Sequence, residues 1–310
     1  MRIRATVAAV SGALALSALV VPAAQATDGP SYSKDDVLAA VEAARDAASG
    51  DTARSTFATQ DTGTPYALDL SFSNVKVNSG KPIVAGISNQ VTVPVTYTVT
   101  HAADIDLNAP DFVLDVEIYR GTYDAPVNIL YGDDWPVCAD TSATTATCKG
   151  TIDVYPAFEL TNADATTWKA IGYAIDFNDE DLDDDVNWDN IGYVDQDALA
   201  TTKLQRYSKL TVNASPEPVK KGRTITVTGK LTRANWETHS YKGYTNQSVK
   251  LQFRKKGTTT YTTLKTIKTN STGNLSTTVT ASTDGYFRYY FTGTSTTPAV
   301  KAAGDFVDVQ

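Results

Sequence analysis

From Tyr66 to the C-terminus the sequence runs in period two. VTVPVTYTVT sets Val91, Val93, Val95, Tyr97 and Val99 on one side and threonines on the other, the alternation of a half-buried strand. ALDLSFSNVKV repeats it with Leu68, Leu70 and Phe72, and FVLDVEIYRG, TCKGTIDVYP and WKAIGYAIDFN continue it. Turn residues separate the runs at Asn78-Ser79-Gly80, Asn108-Ala109-Pro110 and Gly132-Asp133-Asp134. Short strands, frequent turns and no helical period predict a β-sandwich over residues 65–202. Pro94 has no N–H to give a ladder, which predicts an edge or bulged strand there.

Residues 203–310 repeat the theme. SKLTVNA, RTITVTGKLTR, SVKLQFRKK, TYTTLKTIK, LSTTVTA, GYFRYYFTG and GDFVDV read as seven strands. Turns fall at Lys256-Gly257, at Asn270 to Gly273 and at Asp284-Gly285. This number and spacing predict an immunoglobulin-like sandwich. Asp284-Gly285-Tyr286, followed by Phe287 and Tyr289, falls where such folds carry a corner tyrosine. The fold class expected is therefore all-β, two β-sandwich domains, the C-terminal one Ig-like.

The N-terminus is different. MRIRATVAAVSGALALSALVVPAAQA has Arg2 and Arg4, then an apolar run, then the small-x-small site Ala24-Gln25-Ala26. This is a secretory leader over residues 1–26. No Cys follows the run to carry a lipid, and GDFVDVQ ends the chain without an apolar anchor. The expectation is a secreted, extracellular protein with no membrane span. Ser33 ahead of Lys34-Asp35-Asp36 is a helix start, with Ser33 as cap and Asp36 in the capping-box place. Val37, Leu38 and Val41 give VLAAVEAARDAAS a thin apolar side, so the helix is expected to dock lightly or stay loose. Residues 51–64 read as linker, closing a 27–64 helix-and-linker segment.

Charge divides the chain. Residues 27–202 hold 8 Lys and Arg against 30 Asp and Glu, a net of −22, and residues 203–310 hold 17 against 5, a net of +12. So sharp a break predicts a domain boundary near Ala200 to Lys203. The halves either attract each other or meet different partners. In the second case the basic half suits an anionic cell-wall polymer or polysaccharide. Nucleic acid does not fit an exported, acidic chain.

A resemblance covers residues 206–310. SKLTVNASPEPVKKGRTITVTGKLTRANW, VKLQFRKKG and DGYFRYYFTGTSTTPAV are similar to an Ig-like module of secreted actinobacterial proteins. The resemblance implies an Ig-like fold and an extracellular setting, and no activity. The acidic half carries no such likeness.

Catalytic motifs are scarce. The two histidines, His101 and His239, lie in no recognisable frame, though Asp104 follows His101 in VTHAADID. There is no Gly-x-Ser-x-Gly, no His-Glu-x-x-His and no phosphate-cradling glycine loop. Cys138 and Cys148, close together on an exported chain, are expected to pair; no His lies near either to activate a thiol.

Asp176 to Asp197, DFNDEDLDDDVNWDNIGYVDQD, holds ten carboxylates and no cation. An EF-hand begun at Asp181 would need Gly at position 6 and Glu at 12, where Val186 and Gly192 stand. In extended form, Asp181, Asp183, Asp185, Asn187 and Asp189 share one face, and Leu182, Val186 and Trp188 share the other. Neighbouring charges about 6.6 Å apart repel by about 0.6 kcal/mol in water. Calcium is permitted by these oxygens and not required by them; a solvated face that blocks strand-to-strand pairing serves equally. A second candidate is ANWETHSYKGYTNQ, expected as a long loop. Trp236, Tyr241 and Tyr244 there either stack on sugar rings or fold over the open end of the sandwich.

The expected function is a non-enzymatic binding or structural protein at the cell surface or in the medium. The alternative is a calcium-binding protein using the acidic segment. A weaker one is a hydrolase with a carboxylate pair, which needs an accessible pocket holding both acids.

Overall fold

The computed structural model describes residues 33–49, 63–180, 182 and 186–310. The leader expected over 1–26, and the expected linker apart from Gly63 and Thr64, lie outside the described residues. The first elements are α1 (Lys34–Ser49), β1 (Tyr66–Ala67), β2 (Leu70–Val77), β3 (Ile83–Ala85) and β4 (Val91–His101). Then come β5 (Phe112–Gly121), β6 (Pro126–Leu130), β7 (Val137–Ser142), β8 (Thr145–Val154), α2 (Pro156–Glu159), β9 (Thr167–Asp176) and β10 (Gly192–Arg206). The remainder is β11 (Ser208–Leu210), β12 (Asn213–Ser215), β13 (Thr224–Asn235), β14 (Ser240–Gly243) and β15 (Ser248–Lys255). It closes with β16 (Thr262–Lys268), β17 (Asn274–Thr280), β18 (Gly285–Phe291), β19 (Val300–Lys301) and β20 (Asp305–Val307). Two compact units emerge: residues 1–80, 92–153 and 169–201, and residues 81–91, 154–168 and 202–310. Each is thus assembled from three stretches of chain, where the charge break alone suggests contiguous halves.

The first unit has two sheets, one ordered β1-β10-β9-β5-β6 and one ordered β2-β4-β8-β7. A Cβ on Gly172 of β9 would come within 2.8 Å of the Phe72 ring of β2, so glycine is what lets the layers meet there. β4 lies between β2 and β8, which corrects the edge alternative drawn from Pro94; the β2–β4 ladder does carry a register shift, between Ser73 and Lys76 and so away from Pro94. Pro94 stands one residue past the last β2 pair, Val77 with Val95, so its missing N–H breaks no bond in that ladder. Cys138 and Cys148 are directly opposed on β7 and β8 and form a disulfide, with Cα atoms 4.0 Å apart.

Helix α1 begins as its sequence directs. Asp36 N–H donates to Ser33 Oγ at 3.3 Å, and the Ser33 hydroxyl donates to the Asp36 carboxylate. The helix is firmly docked, against expectation. Val37, Ala40, Val41, Ala43 and Ala44 are buried against Val113, Tyr173, Ile175, Trp188 and Tyr193. Positions 37, 40, 41 and 44 make one helical stripe. Its alanines widen the apolar face beyond the three larger residues and let the helix backbone approach the sheet closely.

The second unit is an Ig-like sandwich. One sheet centres on β13, flanked by β11 and β12 on one side and β14 and β17 on the other; the second runs β16-β15-β18 with β19 and β20 beyond. Ile225, Val227 and Leu231 of the first sheet and Val249, Leu251, Phe287 and Phe291 of the second fill the core. Tyr289, fully buried, donates its hydroxyl to Val227 O at 2.8 Å. A Cβ on Gly229 would come within 2.8 Å of that ring. Tyr286, by contrast, alternates to the outer face of β18 and packs on Phe306 with ring centroids 5.1 Å apart. The inward tyrosine of this strand is therefore Tyr289. All seven strands expected in this half are present, along with the short β14 and β19.

Candidate functional site

Asp181, Asp183 and Asp185 of the acidic segment lie outside the described residues. The neighbouring described residues do not continue a strand: Leu182 sits in a turn and Trp188–Asn190 form a 3₁₀ turn. The extended reading through Asp189 is thereby corrected. Asn187 caps this turn, its Oδ1 accepting Asp189 N–H at 3.3 Å, and so takes the chain out of extended geometry. The apolar side of the pattern does pack: Val186 and Trp188 are buried beneath α1, with Leu182 partly so. Asp189 Oδ1 accepts Thr64 N–H at 2.9 Å, and Glu180 accepts the Asn190 amide at 2.6 Å. Asp176 is held above the usual carboxylate range by partial burial, against a bond from Asn178 N–H and with Asp111 and Asp179 nearby. Among the described residues no group of three His, Cys, Asp or Glu side chains is placed to hold a metal.

The stretch 234–247 is a hairpin, not a long loop. β13 and β14 pair from Thr232–Gly243 to Asn235–Ser240. Asn235 Oδ1 closes the turn by accepting Glu237 and Thr238 N–H at 3.1 and 3.0 Å, an Asx turn. Its three aromatics do different things. Trp236 is fully buried and donates Nε1–H to Gly86 O at 2.6 Å. Tyr244 packs edge-on against Phe291 and carries Arg233 over its ring at 4.0 Å. Tyr241 is half-buried beside Tyr207, with Lys209 3.7 Å above its ring. No common platform for a ligand results.

Convergent carboxylates do occur, in the wrong place for hydrolysis. Asp115 and Glu117, two residues apart on β5, share a face and are 2% and 4% exposed. α1 supplies cations to this region: Lys34 reaches Asp115 at 2.7 Å, and Arg45 reaches Asp195 at 3.3 Å. Burial first, then the Asp115 charge, pushes the Glu117 carboxyl up to about 7. Burial likewise raises Asp115, with Lys34 opposing. Sealed under a helix, the pair meets no substrate. His101 ends β4 almost buried, its Nδ1 2.9 Å from Ala102 O, while Asp104 is exposed. A groove of about 480 Å³ along β12, β13 and β17 is lined by residues such as Thr211, Asn213, Thr228 and Ser276, with no charged or imidazole side chain.

The sequence reading missed a different arrangement, on the outer face of the β16-β15-β18 sheet. Register pairs Lys250 with Tyr290, Gln252 with Arg288 and Arg254 with Tyr286. Phe306 extends the last row and Lys301 the first. Arg288 lies 3.6 Å from the Tyr261 ring centroid and Arg254 4.1 Å from that of Tyr286. The signal was present in GYFRYYF, whose outward positions read Tyr, Arg, Tyr; only cross-strand register shows that Arg254 and Tyr261 join them.

No protein-family model matches the chain, and no curated protein matches it. Among solved structures, the I-band fragment I67-I69 from titin is 11% identical, covering 77% of this chain and 65% of its own, with a TM-score of 0.29. The D00-D0 domain of intimin is 16% identical, covering 77% and 98%, with a TM-score of 0.24. The Escherichia coli adhesin FdeC is 18% identical, covering 77% and 64%, with a TM-score of 0.21. Likenesses this loose support no functional transfer; the Ig-like architecture rests on the strand order given above.

Proposed function

We propose that this chain is an exported, non-enzymatic binding protein of the cell envelope, held to an anionic polymer by its second unit. One observation carries the reading. Residues 203–310 hold 17 Lys and Arg, and among the described residues the one ion pair they make is Lys256 with Asp284 at 3.3 Å. Several other cations of this stretch sit over aromatic rings: Lys209 on Tyr241, Arg233 on Tyr244, Arg288 on Tyr261. Such stacking leaves the charge in place. An un-neutralised cationic surface attracts an anionic polymer at a distance and holds it in a salt-dependent way. The leader-like N-terminus and the disulfide fit an oxidising compartment outside the cytosol.

The test is retention of the full chain on washed cell envelopes at rising sodium chloride. Retention at low salt that is lost at high salt is the expected result. No retention at low salt, or retention indifferent to salt, overturns the reading.

A further inference from the structure

We propose that the outer face of the β16-β15-β18-β20 sheet binds a polyuronate, a chain of carboxylate-bearing sugar rings. This rests on the reading of the second unit as a holder of anionic polymer, and names its site and ligand class.

Two features of the face identify the occupant. The first is an excess of cations: the carboxylate in the next row of the ladder, Asp284, is taken up by Lys256 at 3.3 Å. Outward positions on β15, β18, β19 and β20 are Lys250, Gln252, Arg254, then Tyr286, Arg288, Tyr290, then Lys301 and Phe306, with no Asp or Glu among them. Among the described residues neither Arg254 nor Arg288 pairs with a carboxylate. Arg288 spends Nε on Gln252 Oε1 at 2.9 Å, and Arg254 spends one Nη on Thr258 O. The remaining in-plane donors of each guanidinium are left for a ligand, and a planar fork is what a carboxylate accepts in two parallel bonds.

The second feature is the alternation of rings with cations. The Tyr261 ring stands between the guanidiniums, 3.6 Å from Arg288 and 5.3 Å from Arg254, and Arg254 lies in turn 4.1 Å from the Tyr286 ring. Tyr286 and Tyr290 are four residues apart on one face of β18, which spans about 13 Å. All of these side chains are partly exposed. Flat aromatic surface beside each cation suits a polymer with both an apolar ring face and an acid on every unit. A poly(glycerol phosphate) has the charge and lacks the ring, so the aromatics would gain nothing from it.

The experiment is calorimetric titration of the full chain at low salt with oligogalacturonate, with its uncharged, fully methyl-esterified form, and with poly(glycerol phosphate) matched in charge to the acid form. The proposal expects the acid form to bind at least about tenfold more tightly than either of the others. Arg254→Lys with Arg288→Lys, which keeps charge and removes the fork, should weaken the acid form about tenfold. Tyr261→Ala with Tyr286→Ala should do the same, whereas Lys220→Gln, Lys221→Gln, Arg223→Gln, which removes charge away from this face, should weaken the acid form and poly(glycerol phosphate) alike and leave the preference for the acid form intact. Each variant is first shown to melt like the parent. Equal binding of poly(glycerol phosphate) with the tyrosine variant unaffected overturns this proposal and leaves the broader reading standing. Binding of neither anion overturns both.

Discussion

Lys34 Nζ lies 2.7 Å from Asp115 Oδ2, with the two side chains 11% and 3% exposed, and this pair fixes the start of α1 onto β5. Lys34 also donates to Asp134 O at 3.0 Å and stands 4.4 Å from the Trp135 ring centroid. Removing one member of a buried pair strands the other charge. Lys34→Met should therefore cost about 3–5 kcal/mol. Lys34→Met with Asp115→Leu should recover most of that, because no unpaired charge is left. Urea unfolding of both variants checks this; equal losses in the single and the double would show that the pair itself stabilises the fold.

Glu117 makes stability depend on pH. Its carboxyl is pushed up to about 7 in the folded chain and returns to the ordinary range near 4 on unfolding. The folded state thus holds a proton that the unfolded state releases. The stabilisation is complete below the unfolded value and is lost as pH rises toward 7, by at most about 4 kcal/mol. Asp115 is shifted the same way; Lys34 and Arg45 oppose both shifts on Glu117. Glu117→Gln should melt higher than the parent at pH 8 and flatten the profile between pH 5 and 7. A variant profile parallel to the parent's would remove Glu117 from the account.

Trp236 is buried, and its indole N–H satisfies Gly86 O. Trp236→Ala should cost about 3–5 kcal/mol. Trp236→Phe keeps most of the packing and leaves the carbonyl unpaired, for about 1–3 kcal/mol. The phenylalanine variant should bind a polymer as tightly as the parent does. An affinity change in the phenylalanine variant without a stability change would return Trp236 to the ligand.

How legible these features were in the sequence follows from how local they are. Val91 to Val99 and the strand GYFRYYF declare themselves by alternation, because side chains of a strand point alternately in and out. The Ser33 cap is equally local. The docking of α1 was hidden because Ala40 and Ala44 are weak apolar signals, and because the partners of Lys34 and Arg45 are 81 and 150 residues away. Pro94 misled because its consequence depends on where the neighbouring strand stops, at Val77. The cation–aromatic face needs the β15–β18 register, since Arg254 and Tyr286 are meaningless to one another until that register is known.

Calcium should do little to stability. Three described side chains of the acidic segment are engaged within the fold, Asp189 with Thr64 N–H, Asn187 with Asp189 N–H and Glu180 with Asn190. Millimolar calcium against chelator should shift the melting temperature by less than about 1 °C, where a ligand bound to the native state alone must raise it. A rise of several degrees that disappears in Asp183→Asn, Asp185→Asn would establish a site there.

The outer face of β15 and β18 is the centre of the account, and hydrogen–deuterium exchange of the full chain with and without oligogalacturonate tests it most directly. The prediction is slowed exchange in 250–263 and 285–291, with 176–197 and 234–247 unchanged. Protection confined to either of those two segments, with β15 and β18 unaffected, would contradict it.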